Sequence, residues 1–152
     1  MLLVDANVLL HAVNESSRDH AAARNWLRDA LQGGEAVAFA WTVVLAFLRL
    51  STHRAVFDHP LRVDEAGDLV ERWLSAPPAV SIEPTGRHLP LLRGLLGHAG
   101  TAGNLVGDAH LAALALEHGA TVVSFDRDFA RFHGVRLRRP DSPTDPPIQP
   151  KG

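Results

Sequence analysis

Short apolar runs alternate with amphipathic segments along most of this chain, and this alternation limits the fold more than any single motif. The strand-like runs are Leu2–Val4, Ala36–Ala40, Ala79–Ile82, Thr121–Phe125 and Val135–Leu137. The helical patterns cover residues 19–32, 41–50, 64–75, 86–98 and 109–118. Strands that alternate with helices of this length form βαβ units with a mainly parallel sheet. We therefore predict an α/β domain with a four- or five-stranded, mainly parallel sheet and helices on both faces.

Two features of this pattern carry further expectations. The segment 41–50 is apolar on all sides, which predicts a buried helix, although Val43 and Val44 also allow a strand. The last 13 of the 152 residues hold five of the ten prolines. We therefore predict one domain over residues 1–139 and a proline-rich tail over 140–152.

The composition excludes several kinds of chemistry. There is no cysteine, which excludes a disulfide scaffold, a thiol nucleophile and a thiolate zinc site. The only lysine, Lys151, lies at the end of the tail, so a phosphate-binding loop or a Schiff base has no placed lysine. The formal charge of -2 neither indicates nor forbids a nucleic-acid partner. No run is long enough to span a membrane and the start has no basic region, so we expect a cytoplasmic protein.

Carboxylates are the most promising candidates for a functional site. Asp5 follows the first strand, Asp126 follows the fourth, and Asp108 begins the helix before that fourth strand. In an open parallel sheet the carboxyl ends of the strands form the ligand-binding edge, so all three belong to one edge, with Asp128 nearby. Carboxylates that close together resist ionisation, and a hard divalent cation such as Mg²⁺ or Mn²⁺ relieves the repulsion. Such a cation can activate water at a phosphodiester.

Each carboxylate also has a simpler explanation. Asp5 with Asn7 is typical of a turn and cap after a strand, Asp108 after a glycine is a good helix N-cap, and Asp126 can end a strand in a capped turn. The nine histidines show no zinc-binding spacing, and no serine lies in a nucleophile elbow.

A basic segment follows the fourth strand. Its members are Arg131, His133, Arg136, Arg138 and Arg139. It is either a solvated basic edge or an electrostatic guide for RNA phosphates.

Three stretches of the sequence, Leu3–Leu9, Gly107–Ala115 and Val122–Phe129, contain the candidate aspartates, and the apolar segment Trp41–Ser51 lies between the first and the second. Together they resemble the PIN-domain family, and within it the VapC ribonuclease toxins of bacterial toxin–antitoxin pairs. The resemblance covers about residues 1–137 in the family's order.

The resemblance implies a Rossmann-like PIN fold and a nuclease that uses Mg²⁺ or Mn²⁺ to cleave RNA. By position, Asp5 and Asp108 would be the principal metal ligands and catalytic residues, and Asp126 would complete the acidic cluster. The matching supporting residues are Asn7, Ser124 and Asp128. The implied partner is a VapB-type antitoxin, through which the protein would reach operator DNA, and a homodimer is usual in the family.

One position departs from the family pattern. The glutamate expected just before a Phe-Leu-Arg stretch is replaced by Ala46, which removes one negative charge and makes a second metal doubtful. Glu83, after the third strand, is a conceivable substitute. Two alternatives follow: a catalytically weak or inactive PIN-like module that binds RNA or protein, and a metal-dependent phosphatase. The phosphatase is disfavoured because the Asp5-Ala6-Asn7 start lacks the second aspartate and the placed lysine of the haloacid-dehalogenase pattern.

Overall fold

The chain forms a five-stranded parallel sheet packed between helices, in a computed structural model that describes residues 1–100 and 103–142. The strands are β1 (Leu2–Val4), β2 (Val37–Phe39), β3 (Ala79–Ser81), β4 (Thr121–Val123) and β5 (Arg136–Arg138). The α-helices are α1 (Ala6–Val13), α2 (His20–Gln32), α3 (Trp41–Ser51), α4 (Val63–Leu74), α5 (His88–Ala99) and α6 (Val106–His118). Short 3₁₀ helices, Gly103–Leu105 and Arg127–Arg131, precede α6 and follow β4.

The sheet has the strand order β3-β2-β1-β4-β5, with every neighbouring pair parallel. From β1 the chain adds strands first on one side and then on the other, so the order reverses between β1 and β4. At such a switch point the connections leave in opposite directions, which opens a crevice at the carboxyl ends of the two strands. The predicted α/β fold with a parallel sheet is confirmed.

The core explains why the central strands read as continuous apolar runs. Side chains of a strand alternate between the two faces, yet Leu2, Leu3 and Val4 of β1 are all buried, so both faces of the sheet are covered. Within the helices that cover the sheet, Phe47 of α3 is fully buried and its ring packs edge to face against Trp73 of α4, with 4.9 Å between ring centroids.

The structure adds a helix that the sequence patterns did not predict. One of the two explanations for Asp5 with Asn7 was turn and cap chemistry, and no helix was predicted there, but Ala6–Val13 forms α1 and Asp5 is its N-cap. The capping part of that interpretation is correct, because the Asp5 carboxylate accepts a hydrogen bond from the backbone N–H of Ala6. The helix was missed because it is only eight residues long and its buried positions, Val8, Leu9 and Ala12, continue the apolar run of β1.

Two predicted helices differ from the structure. Asp108 was expected to begin α6, but α6 starts two residues earlier, at Val106, because the 3₁₀ turn before it runs directly into the helix. Asp108 therefore lies in the first turn and does not cap it. The helix α3 was expected to be buried on all sides, but Trp41 is 50% and Leu45 58% exposed.

The predicted tail lies mostly outside the described residues. The structure describes it only to Ser142, where the Arg139 guanidinium makes a two-pronged contact with the carboxylate of Asp141, both N–O distances being 2.9 Å. Among the helices of residues 1–100 and 103–142, none combines the length and the apolar character needed to cross a membrane.

Candidate active site

Asp5 lies at the switch point, directly after β1, and its carboxylate is held from two sides. Its Oδ1 accepts a hydrogen bond from the Ala6 N–H at 2.7 Å. Its Oδ2 accepts one from the Ser124 hydroxyl at 2.6 Å and one from the Asn7 amide at 2.9 Å. These donors fix the orientation of the carboxylate at the carboxyl end of the sheet.

Ser124 and Asn7 connect the ends of β1 and β4. Ser124 is fully buried directly after β4, and its Oγ accepts hydrogen bonds from the Asn7 amide at 2.8 Å and from the Asp126 N–H at 3.0 Å. The Asn7 side-chain oxygen in turn accepts a hydrogen bond from the Phe125 N–H at 3.2 Å. The serine hydroxyl therefore makes contacts with both strand ends and with two carboxylate-bearing residues.

Asp126 and Asp128 lie where β4 gives way to the second 3₁₀ helix. The Asp126 carboxylate accepts a hydrogen bond from the Asp128 N–H at 2.8 Å, and so caps that helix. The predicted turn chemistry and the predicted place in the acidic cluster are therefore both compatible with the observed position of Asp126.

Asp108 faces the other carboxylates from the first turn of α6. Partial burial, together with the negative charges of Asp5, Asp126 and Asp128, raises its pKa from 3.8 to about 6. Burial likewise raises the pKa of Asp5, opposed by the hydrogen bonds from Ser124 and Ala6 and assisted by the charge of Asp126. The charges of Asp5, Asp126 and Asp128 thus act on Asp108 across the acidic edge and disfavour its ionisation.

The carboxylates are near one another but do not form a closed cage. Within the described ranges no three His, Cys, Asp or Glu side chains are arranged tightly enough to hold a metal ion directly. The donor set is nevertheless all oxygen, which suits Mg²⁺, an ion that keeps several waters and is usually bound by only one or two carboxylates. The site therefore fits a hydrated hard cation better than a fully enclosed one.

Glu83 does not fill the place of the missing glutamate. It follows β3, and the charges that raise the pKa of Asp108 come from Asp5, Asp126 and Asp128. The negative charge of Glu83 instead favours a higher pKa of His110, which lies on the other side of α6 from Asp108. Ala46 is partly buried on α3 and brings no charge. The acidic cluster therefore has only aspartates.

A hydrogen-bonded chain of Glu117, His88 and His110 was not predicted from the sequence. The Glu117 carboxylate contacts His88 Nδ1 at 2.6 Å, and His88 Nε2 contacts His110 Nδ1 at 2.8 Å. Burial raises the pKa of Glu117, but hydrogen bonds from Thr85 and His88 outweigh it and the net pKa is lowered. Burial and the neighbouring His88 lower the pKa of His110. His88 lies on α5, whereas His110 and Glu117 lie on α6, so the chain of contacts depends on the packing of two helices and no local spacing signals it.

The basic segment is partly committed to contacts within the protein. An Arg139 amino group donates to the carbonyl of Phe125, and Arg136 donates to the carbonyl of Gly119 at 2.7 Å. Arg131 lies within 3.9 Å of the Asp128 carboxylate and is 57% exposed. These contacts favour a structural role for Arg136 and Arg139, and leave Arg131 the better candidate for contact with a ligand.

The PIN-domain family model matches residues 2–135 of this chain. The chain is 51% identical to Ribonuclease VapC37 of Mycobacterium tuberculosis over 140 residues, which is 92% of this chain and 97% of that protein. It is 41% identical over 140 residues to Ribonuclease VapC25 of the same organism, which is 92% of this chain and 99% of that protein. The chain therefore belongs to the VapC ribonucleases of the PIN-domain family.

Solved structures show the same fold at low sequence identity. VapC20 of Mycobacterium tuberculosis, described as a sarcin-ricin loop cleaving toxin, aligns with a TM-score of 0.65 and 18% identity, over 90% of this chain and 99% of that one. VapBC2 from Rickettsia felis, bound to a DNA fragment from its promoter, aligns with a TM-score of 0.67 and 17% identity, over 91% of this chain and 97% of that one.

Proposed function

We propose that this protein is the toxin of a toxin–antitoxin pair, an Mg²⁺- or Mn²⁺-dependent endoribonuclease that hydrolyses phosphodiester bonds in RNA. The observation that carries the proposal is the convergence of Asp5, Asp108 and Asp126 on one edge, with the pKa of Asp108 raised to about 6 by burial and by its acidic neighbours. Uncompensated carboxylates lower the stability of a fold, so a site that retains them points to function. Membership of the VapC ribonucleases supports the choice of RNA.

The acidic edge formed by Asp5, Asp108 and Asp126 would hold a hydrated cation, partly through its water ligands, and the surrounding residues would hold the aspartates. When bound, the ion supplies charge neutralisation for the phosphodiester and an activated water. Ser124 and Asn7 fix the Asp5 carboxylate, and the Asp128 N–H fixes that of Asp126. With Ala46 in place of an acid, we propose one metal rather than two. The expected products carry 5′-phosphate and 3′-hydroxyl ends.

The partner we propose is a VapB-type antitoxin. Solved relatives of similar fold were crystallised as VapBC assemblies, two of them with DNA. For this chain we infer that an antitoxin binds across the acidic edge and supplies the contact with operator DNA, and that the toxin forms a homodimer.

Metal-dependent cleavage is the prediction that tests this function. The purified protein, incubated with total RNA or with a structured RNA, is expected to cut in Mn²⁺ or Mg²⁺, to stop when EDTA is added, and to resume when excess Mn²⁺ is restored. The reaction is followed on gels, and labelling of the new ends identifies the 5′-phosphate. Equal cleavage with and without EDTA would contradict a metal mechanism, and no cleavage in any metal would favour the non-catalytic module that Ala46 suggests.

A further inference from the structure

A small cavity on the other side of α6 from Asp108 combines an aromatic face with a carboxylate. It measures about 130 Å³, and its walls include Trp41, Thr42, Glu83, Pro84 and His110. Trp41 and Thr42 follow β2, Glu83 and Pro84 follow β3, and His110 lies in the second turn of α6. The cavity therefore opens at the same edge of the sheet as the acidic cluster. A single water needs only ~10–15 Å³, so the space accepts a considerably larger group.

Trp41 is the unusual member of this wall. It is the first residue of α3 and is 50% exposed, although a large apolar side chain is normally buried. An exposed tryptophan beside a cavity provides a flat surface on which a planar ring can stack. Stacking on an aromatic side chain is the usual way in which an unpaired RNA base is bound.

Glu83 supplies the polar recognition group. It is exposed, and among the described residues its carboxylate has no hydrogen-bonding or ion-pair partner. Its backbone is nevertheless anchored, because the His118 ring contacts the Glu83 carbonyl oxygen at 2.9 Å. A carboxylate only accepts hydrogen bonds and repels phosphate, so it selects the base of a nucleotide and, within the base, an edge that donates.

His110 forms a fixed wall of the same cavity. Its Nδ1 is held at 2.8 Å by His88 Nε2, and His88 Nδ1 is held by Glu117, whose other carboxylate oxygen accepts the Thr85 N–H at 2.9 Å. When both rings are neutral, His88 donates to Glu117 and therefore accepts from His110. His110 Nε2 is then left as a second acceptor.

We propose that this cavity binds one unpaired guanine of the RNA, stacked on Trp41 and hydrogen-bonded to the Glu83 carboxylate, at the same edge of the sheet as the acidic cluster. This inference rests on the proposed RNA-cleaving function and specifies its substrate. Guanine is the base whose Watson–Crick edge presents two adjacent donors, N1–H and the 2-amino group, which match the two oxygens of a carboxylate. Uracil places carbonyl oxygens beside its only N–H, and adenine and cytosine place a ring acceptor beside their amino group.

The test measures binding rather than cleavage, so that it does not depend on catalysis. Fluorescein-labelled uridine hexamers with one central guanine, adenine or inosine are titrated with the Asp108→Asn variant, and affinity is read from anisotropy. We expect the guanine hexamer to bind roughly tenfold more tightly than the adenine hexamer, with inosine in between because it lacks the 2-amino group. Trp41→Ala should weaken all three roughly tenfold, since stacking is tolerant of sequence.

Matched variants separate the pocket from general effects. Leu45→Ala removes another exposed apolar side chain, one turn further along α3, and should leave every affinity unchanged. Glu83→Gln should abolish the guanine-to-adenine ratio, whereas Glu71→Gln, which makes the same charge change on α4, should preserve it.

Equal affinity for the guanine and adenine hexamers, a ratio that survives Glu83→Gln, or no binding of any hexamer would each overturn the inference. Guanine-selective binding by a protein that never cleaves RNA would instead sustain the pocket and reject the proposed catalytic function.

Discussion

The Asp108→Asn variant is expected to cleave RNA at least about a hundredfold more slowly than the parent while unfolding at a higher temperature at neutral pH. Loss even of an outer partner of a metal ligand typically costs ~10–100-fold in activity, and Asp108 is proposed as a ligand itself. The gain in stability has a separate cause. The pKa of Asp108 is raised to about 6 by burial and by three acidic neighbours, so its ionised form lowers the stability of the folded state.

The pH dependence of this gain follows from that pKa. Between pH 3.8 and about 6 the folded protein holds a proton on Asp108 that the unfolded chain has lost. The contribution of Asp108 to stability therefore falls as the pH rises through this window, and the full penalty is present above it. The difference in melting temperature between Asp108→Asn and the parent should be largest at pH 7–8 and should disappear near pH 4.

Asp68→Asn provides the control for this prediction. Asp68 is exposed on α4, away from the acidic edge, and the substitution makes the same chemical change. We expect parental cleavage and no pH-dependent stability difference. Parental cleavage by Asp108→Asn would show that the acidic cluster is not the catalytic site, and a stability difference independent of pH would contradict the raised pKa.

Substitution by alanine should destabilise the protein at only one of its two fully buried serines, Ser124 and Ser51. The Ser124 hydroxyl donates to Asp5 and accepts from Asn7 and the Asp126 N–H, so Ser124→Ala leaves buried groups without partners and should cost ~1–3 kcal/mol of unfolding free energy. It should also slow cleavage by roughly 10–100-fold, because the Asp5 carboxylate is no longer held. The Ser51 hydroxyl is buried without a hydrogen-bond partner among the described residues.

Ser51→Ala is therefore the matched control. Removal of an unpaired buried hydroxyl should be neutral or should stabilise the protein by about 1 kcal/mol, with cleavage unchanged. Urea unfolding at pH 7 and the RNA gel assay measure both effects. A Ser124→Ala protein as stable and as active as Ser51→Ala would show that the hydrogen bonds around Asp5 contribute nothing to the site.

The sequence predicted the fold well because the sheet is buried on both faces. Strands such as Leu2–Val4 are then continuous apolar runs, and they alternate with amphipathic helices that can be recognised one at a time. Helix α1 escaped this reasoning because its apolar residues merge with those of β1. The exposure of Trp41 also escaped it, since periodicity cannot show whether a helix that is apolar all round has a neighbour on every side.

The candidate site was predictable only in part. Strand ends and a helix start brought Asp5, Asp108 and Asp126 to one edge from topology alone, and the raised pKa of Asp108 agrees with their closeness. The hydrogen bond between Asn7 and Ser124 joins residues 117 positions apart, and only the family resemblance identified these two residues as part of the site. The chain from Glu117 through His88 to His110 had no local signal, because tertiary packing of α5 on α6 creates it.

Calorimetric titration of the purified protein with Mn²⁺, beside Asp5→Asn and Asp108→Asn, tests the central claim most directly. The account predicts that the parent binds a single ion per chain, because Ala46 leaves only the aspartates to hold it, and that each variant loses this binding while remaining folded. A parent protein that binds no Mn²⁺, or variants that bind it as tightly as the parent, would contradict a metal site at the acidic edge.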